Sequence, residues 1–366
     1  MSRLHQIALT FIKNIGPVSA KALLAHFGDA ERVFKAPKTK WLKVPGIGEW
    51  TLEGLDLGTA LSRAEQELEF IAKNHIDVIF YSDLAYPRRL KNCTDSPVVL
   101  YAKGNMDLNR PRVVSIVGTR LATEYGRQLC RNLVEELQQY DVLVVSGLAA
   151  GIDTAAHKES MKQGLQTVGV LGHGLEMMYP AANRSLAEKM QENGGILTEY
   201  ASGSIADGKN FPQRNRIVAG MSDATIVVEA SIKGGALITA EIANSYNRDV
   251  FAFPGRIDDE YSEGCNFLIR NNKAALLTGA ADLAYIMGWE INSEAKPSKN
   301  QLVLPMDLSD EERVIFNIIH QHKSPLAIDD LTLKANMPMS QLTMTLLNME
   351  MQGYIRSMPG KTYCLN

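Results

Sequence analysis

Four loops of this chain carry the residue types that bind anions. "VGTRLATEYG" (117–126) supplies Gly118, Thr119 and Arg120, and "SGLAAGID" (146–153) supplies Ser146, Gly147 and Gly151. "LGHGLE" (171–176) adds Gly172 and Gly174, and "SIKGGALITAE" (231–241) adds Ser231, Gly234, Gly235 and Thr239. Glycine lets a backbone approach a phosphate, a helix N-terminus aims N–H groups at it, and Arg120 brings a forked, permanently charged donor. Any one of these glycines would also suit an ordinary strand-to-helix turn. Four such loops together with Arg120 predict a phosphate-lined site.

A fifth stretch, "NFPQRNRIVAG" (210–220), sets two arginines against an apolar run. With Pro212 in the first turn of a helix, Arg214, Ile217, Val218 and Met221 follow i, i+3, i+4, i+7 and share one face. Arg216 lies about 200° from Arg214 on the same wheel. The spacing predicts Arg214 turned inward, to a phosphate or a buried carboxylate, and Arg216 turned outward, to solvent, a subunit neighbour or a nucleic-acid path. Phe211 is expected in the loop just before this helix with Lys209 beside it, where an aromatic face can stack on an unpaired base. The same residue would also serve as a hydrophobic staple for the helix.

Signals for catalysis are weaker. His157 is expected on a helix surface or core edge and His173 in a loop, and the sequence places no acid to orient either. Glu241 suits a general base in a nucleotide-cleaving enzyme, or a carboxylate answering a helix dipole. The "GGALITAE" loop resembles that of the lysine-decarboxylase-like, or LOG, nucleotide phosphoribohydrolases, but Leu237 departs from their glycine pattern. Gly118 and Gly126 are too far apart for a dinucleotide fingerprint. "GKT" (360–362) lacks the earlier glycine of a P-loop, since Ile355 stands there. Cys93, Cys130, Cys265 and Cys364 form no CxxC pair and read as reduced thiols. No catalytic residue, metal site or cofactor is expected.

These loops need a scaffold, and the centre of the chain provides one. "RVVSIVG", "DVLVVSG", "QTVGVLG", "GILTEY", "ATIVVEA" and "DVFAFPG" are short β-branched runs, most ending at glycine, separated by amphipathic stretches. Continuous apolar strands alternating with helices indicate a Rossmann-like α/β fold, a doubly wound and mostly parallel sheet. Ligands of such sheets sit outside the carboxyl ends of the strands, where the glycines fall.

The expected domains are 1–75 (helical), 76–290 (the sheet domain), a polar linker at 291–306, and 307–366. In the first, "IGPVSAKALLAHFG" and "VPGIGEWTLEGL" read as two turn-helix units; the second resembles a helix-hairpin-helix, and a plain helical bundle fits equally. The last reads as three helices and a terminal hairpin, the order of a winged helix. Its third helix, 340–351, has no basic residue, so protein contact or a structural role is favoured over DNA recognition.

Composition sets outer limits. The 366 residues are 45% hydrophobic and 22% charged, ordinary for a soluble chain of two or three domains. No apolar run suits a secretory leader or a membrane span, so a cytoplasmic protein is expected. Net charge is −3, which leaves no bulk basic field, and any anion binding must be local. Only residues 1–110, with 15 basic and 12 acidic side chains, lean positive.

Ordered blocks along most of the chain resemble the DprA/Smf family of DNA-processing proteins of natural transformation. They include "YPRRL", "VSIVGTR" with "YG", "SGLAAGID" with "AAH", "VLGHGLE" with "YPAAN", "FPQRNRIVAG", "VVEA", "GGALITA" and "VFAFPG" with "GCNFLI". The resemblance implies a Rossmann-like domain that binds single-stranded DNA, dimerises, protects incoming DNA and loads the RecA recombinase. It also implies a helix-hairpin-helix or SAM-like domain in front and a winged helix behind. By motif position, Arg120 and the glycine loops would hold phosphates, Phe211 would meet a base, and Arg214, Asn215 and Arg216 would shape the pocket. Ala150 stands where the family pattern is basic, and Thr119 where it is commonly serine.

Overall fold

A computed structural model describes residues 2–290, 308–322, 325–358 and 360–365. The linker expected at 291–306 lies outside the described residues.

The β-branched runs form the strands their composition predicts. β1 (Asp77–Phe80) and β2 (Val99–Lys103) make an antiparallel hairpin; β3 (Val113–Val117), β4 (Leu143–Ser146), β5 (Thr167–Leu171), β6 (Gly194–Thr198), β7 (Ala224–Val227), β8 (Asp249–Ala252) and β9 (Ala275–Leu276) follow. The nine strands order as β1-β2-β6-β5-β4-β3-β7-β8-β9. Seven run parallel, and β2 joins β6 antiparallel. The chain fills one side of β3 through β6, then crosses back to lay β7 on the other side. The strand-end crevice of a doubly wound sheet opens where the order reverses in this way.

Both sheet faces are covered, which explains why the central strands are buried along their length and mostly apolar rather than alternating. Val113 and Val117 face one core with Ile217, Val218, Ala240 and Leu268; Val114 and Ile116 face the other with Cys130, Val134, Ile152 and Leu283. The helices Asn210–Gly220, Gly235–Ser245 and Glu263–Arg270 therefore cover one face. Glu124–Leu137, Ile152–Lys162 and Ala280–Met287 cover the other.

The N-terminal helices bury Ile7, Leu9, Leu23, Trp41 and Ile71 in a core that also takes Phe80, Val99 and Tyr101 from β1 and β2. The helical domain is thus packed onto the antiparallel edge of the sheet. Pro17 opens the helix Pro17–Phe27 after Gly16, and Gly48 opens the four-residue helix Glu49–Leu52, as the two turn signals predict.

At the other end, helices Asp310–His322, Ile328–Ala335 and Met339–Met351 pack with a small sheet of β10 (Leu326–Ala327), β11 (Ile355–Met358) and β12 (Thr362–Leu365) in a winged helix. "GKT" is the turn of its β11–β12 hairpin, with Gly360 and Lys361 at positive φ.

Candidate nucleic-acid interface

Parallel strands deliver the loops after β3, β4, β5 and β7 to one edge, and cross-links tie them together. Between β3 and β7, the Thr119 amide donates to the Glu229 carbonyl at 2.7 Å. The buried Glu229 carboxylate then accepts from the Thr123 amide at 2.9 Å and from its hydroxyl. Thr123 caps the helix Glu124–Leu137, so this carboxylate fixes both the helix start and the loop that carries Arg120. Arg120 itself is exposed.

Arg214 joins β4 to β5. The inward prediction holds: the residue is 5% exposed, on the face with Ile217, Val218 and Met221. Its hydrogen bonds go to main-chain carbonyls and an asparagine rather than to a carboxylate. One guanidinium nitrogen donates to the carbonyls of Gly147 and Val170, and Nε donates to Asn215 Oδ1 at 3.2 Å. Asp153 lies close enough to act electrostatically, while its own oxygen accepts the amides of Gly147 and Ala149 at 3.0 and 3.3 Å. Burial pushes the Arg214 pKa down to about 10, with Asp153 opposing and Arg120 adding to the shift, so the side chain is charged at neutral pH. Burial likewise pushes the Asp153 carboxyl up, against the pull of Arg214. Gly147 leaves this space open: a Cβ would stand 2.5 Å from the guanidinium and force it to shift. Its missing side chain therefore makes room for an internal cation.

Arg216 corrects the helical wheel. Its side chain is 13% exposed and pairs with Glu199 at 2.6 Å, with Asp95 3.9 Å away. Burial opposes its charge, but the Glu199 carboxylate outweighs that penalty and holds its pKa raised. A wheel reports direction about one axis; the carboxylates arrive from the end of β6 and from the loop before β2. What remains accessible of Arg216 lines an open cleft of about 630 Å³ with Pro17, Asp95, Gln213, Ile242 and Tyr246.

The exposed part of the site is aromatic and cationic. Phe211 lies in the first turn of the helix rather than in the preceding loop, and its ring covers Gly172. The Arg120 guanidinium sits 5.5 Å from the Phe211 ring centre, and the Tyr179 ring lies 5.7 Å from it, tilted by 36°. Tyr179 is 48% exposed. His173, buried, holds it there: Nε2 accepts the Tyr179 amide at 3.2 Å, and Nδ1 faces the Gly174 carbonyl at 2.9 Å. Lys209, exposed, immediately precedes the same helix.

Several predicted residues serve the scaffold instead. Ser146 is fully buried with its hydroxyl on the Ile116 carbonyl, and Thr239 is buried and bonds back to Gly235. Gly118, Gly172 and Gly174 admit neighbouring side chains or backbone at close range. Ser231 and Gly234 close the turn before the helix Gly235–Ser245, whose first residue is exposed. His157 is fully buried against Thr167, not at a surface. Glu241 is exposed and paired with Lys273.

Sequence reasoning missed Asp153, Tyr179 and Glu229 as parts of the site. All three lie in quoted blocks, "GID", "YPAAN" and "VVEA", but nothing local distinguishes their roles. Among the described residues, no helix is long and apolar enough to cross a membrane, and no group of acidic, histidine and cysteine side chains could hold a metal.

Comparison with known proteins bears on the whole chain. The family described as DNA recombination-mediator protein A matches residues 77–288, and the DprA winged helix domain matches 299–361. Protein Smf of Synechocystis is 32% identical over 388 aligned residues, covering 98% of this chain and 98% of the relative. DNA processing protein DprA of Streptococcus pneumoniae is 41% identical over 201 residues, 55% of this chain and 71% of the relative. The crystal structure of that DprA superposes with a TM-score of 0.67 at 30% identity, over 79% of this chain and 99% of the other. DNA processing protein A of Helicobacter pylori, described for its single-stranded DNA binding mode, superposes at 0.53 with 27% identity, over 59% and 97%.

Proposed function

This chain belongs to the DNA recombination-mediator protein A family, DprA/Smf, and we propose that its strand-end platform binds single-stranded DNA. One observation carries the reading: an exposed arginine poised 5.5 Å from an aromatic ring whose other neighbour is a half-exposed tyrosine. Stacked aromatics take an unpaired base of any identity, at about 1–3 kcal/mol per base, and a nearby guanidinium takes the phosphate beside it. A chain with net charge −3 needs such a local device. The H. pylori relative, whose structure was described for its single-stranded DNA binding mode, supports the assignment.

In this reading Arg120, Lys209, Phe211 and Tyr179 meet the strand, with the exposed Gly235 backbone at the start of its helix. Arg214, Asn215 and Arg216 shape the pocket from beneath. The protein acts as a mediator, not an enzyme: it protects bound DNA in the cytoplasm and passes it to RecA, as a homodimer through the Rossmann-like domain. Residues 1–75 form a helical accessory domain and 307–366 a protein-contacting one, since its third helix exposes Met344, Leu347 and Met351. The phosphoribohydrolase alternative would use Glu241 as a base, and the Glu241–Lys273 ion pair does not favour it.

The test is a titration of the chain with a fluorescent oligonucleotide at several salt concentrations, with duplex DNA as control. Single strands release about 0.7 counterions per phosphate contact. Arg120→Ala should weaken binding and flatten the log–log slope by about 0.7. Unchanged affinity and slope in a folded variant would remove Arg120 from the interface.

A further inference from the structure

The loop leading from β6 into the Phe211 helix is gripped from outside the sheet domain. Ser202 lies nine residues before Phe211, and every polar atom it owns goes to two side chains of the N-terminal helix Leu57–Asn74. The Glu67 carboxylate accepts the Ser202 amide at 2.9 and 3.2 Å and its hydroxyl at 2.5 Å. Arg63 donates to the Ser202 carbonyl at 2.5 Å and to its hydroxyl at 3.0 Å. The pair is itself an ion pair at 2.9 Å, one helical turn apart, and Arg63 rests over the Phe11 ring at 4.8 Å.

Burial marks this as more than a surface contact. Glu67 is 1% exposed, so its charge depends on Arg63 and the Ser202 donors. Ala201 and Leu175, from the loops after β6 and β5, pack into the same N-terminal core. The grip then passes along the loop: Glu176 accepts the Gly203 amide at 2.6 Å, and Ser204 accepts the Gly174 amide at 2.9 Å. Gly174 is the residue whose carbonyl holds His173, and His173 holds Tyr179. Both aromatic rings of the platform are thus connected to Ser202, one through the loop to Phe211 and one through Gly174.

We propose that Arg63 and Glu67 are positioning residues by which the N-terminal helical domain sets the affinity of the sheet edge for single-stranded DNA. The inference rests on the proposed single-strand site. Neither side chain meets the DNA; together they fix the loop that presents Phe211. When the clamp is lost, the loop samples arrangements in which the rings do not line up. Affinity then falls in proportion to the fraction of chains that remain competent.

The experiment uses the full chain. Glu67→Ala removes three contacts to a charged acceptor, and single-strand affinity should fall about tenfold. The salt slope should be unchanged, because no phosphate contact is lost. Hydrogen exchange in residues 199–210 should accelerate while that in β3 stays slow. The decisive arm is a double-mutant cycle. In a Phe211→Ala background Glu67→Ala should cost little more, whereas in an Arg120→Ala background it should keep most of its effect. Glu67→Gln, which keeps an acceptor for the Ser202 amide, should restore most of the affinity. If Glu67→Ala does not fold, Ser202→Ala, which deletes only the hydroxyl contacts, carries the same cycle with a smaller loss.

Undiminished affinity in the Glu67 variant with faster exchange in the loop would overturn the proposal, and so would an equal loss with and without Phe211. Failure of the single-strand reading looks different: the unmodified chain would not retain the oligonucleotide at all.

Discussion

Replacing Arg214 with methionine decides whether this cation belongs to the scaffold or to the anion site. Its guanidinium caps the carbonyls of Gly147 and Val170 and balances Asp153. Methionine fills much of the same volume but donates nothing. Two buried carbonyls would lose their donor at about 1–3 kcal/mol each. Asp153 would lose a nearby opposite charge, which adds to that cost. The effects overlap, so the expected loss is about 3–5 kcal/mol rather than their sum. With a urea slope near the top of the usual ~1–3 kcal/mol per molar range for a domain this large, the midpoint should drop by about 1–2 M. Far-ultraviolet circular dichroism follows that transition. Below it, the salt slope of oligonucleotide binding should match the unmodified chain. Adding Asp153→Asn should recover part of the stability, because asparagine is neutral and can still accept the Gly147 and Ala149 amides. An unchanged midpoint together with a slope flatter by about 0.7 would refute this reasoning and put a phosphate on Arg214.

Phe211→Ala should weaken single-strand binding by about 1–3 kcal/mol, five- to 150-fold, at constant salt slope, since stacking releases no counterions; fluorescence anisotropy at three salt concentrations checks it. Gly126→Ala puts a Cβ 2.1 Å from the Glu229 carboxylate, so the Thr123 cap and the Arg120 loop must shift, and both thermal stability and affinity should fall. His173→Ala removes the acceptor of the Tyr179 amide and should lower affinity while leaving the urea midpoint less affected than Arg214→Met does. His157 predicts a pH dependence: burial, then Arg214, pushes its pKa down to about 3. With the folded value below the unfolded one, its contribution is intact above about pH 6.5 and is lost as pH falls towards 3, by up to roughly 1.4 kcal/mol per pH unit. Urea midpoints between pH 7 and 5 should show this loss, and His157→Gln should reduce it.

The sheet was legible because its strands are buried on both faces, so β-branched runs stand out without any knowledge of the neighbours. The inward face of the Arg214 helix was legible for a similar reason: a 3.6-residue period needs only the helix itself. Arg216 was misread because its partners, Glu199 and Asp95, come from distant parts of the chain. The glycine loops were half legible. Their positions at strand ends were clear, but sequence cannot say what fills the space a glycine leaves. A Cβ at Gly147 would meet Arg214, and one at Gly172 would meet Phe211. Ser146 and Thr239 look like ligands in a string of letters and turn out to cap carbonyls inside the fold. Tyr179 depends on a contact with His173 six residues away whose meaning appears only in three dimensions.

The antiparallel pairing of β2 with β6 also constrains the order of assembly during synthesis. Residues 101–103 of β2 find their partners at 196–198, some 95 residues later. At about 5–20 residues per second, the hairpin waits roughly 5–20 s beside the ribosome with one edge unsatisfied. The central strand β3 waits longer for β7, since Val114 pairs with Ala224. Unpaired apolar strands in that interval are templates for wrong partners. The N-terminal helices, already made, can cover Phe80, Val99 and Tyr101 of the hairpin before β6 emerges. The helical domain thus buries one apolar face of the hairpin independently of β6.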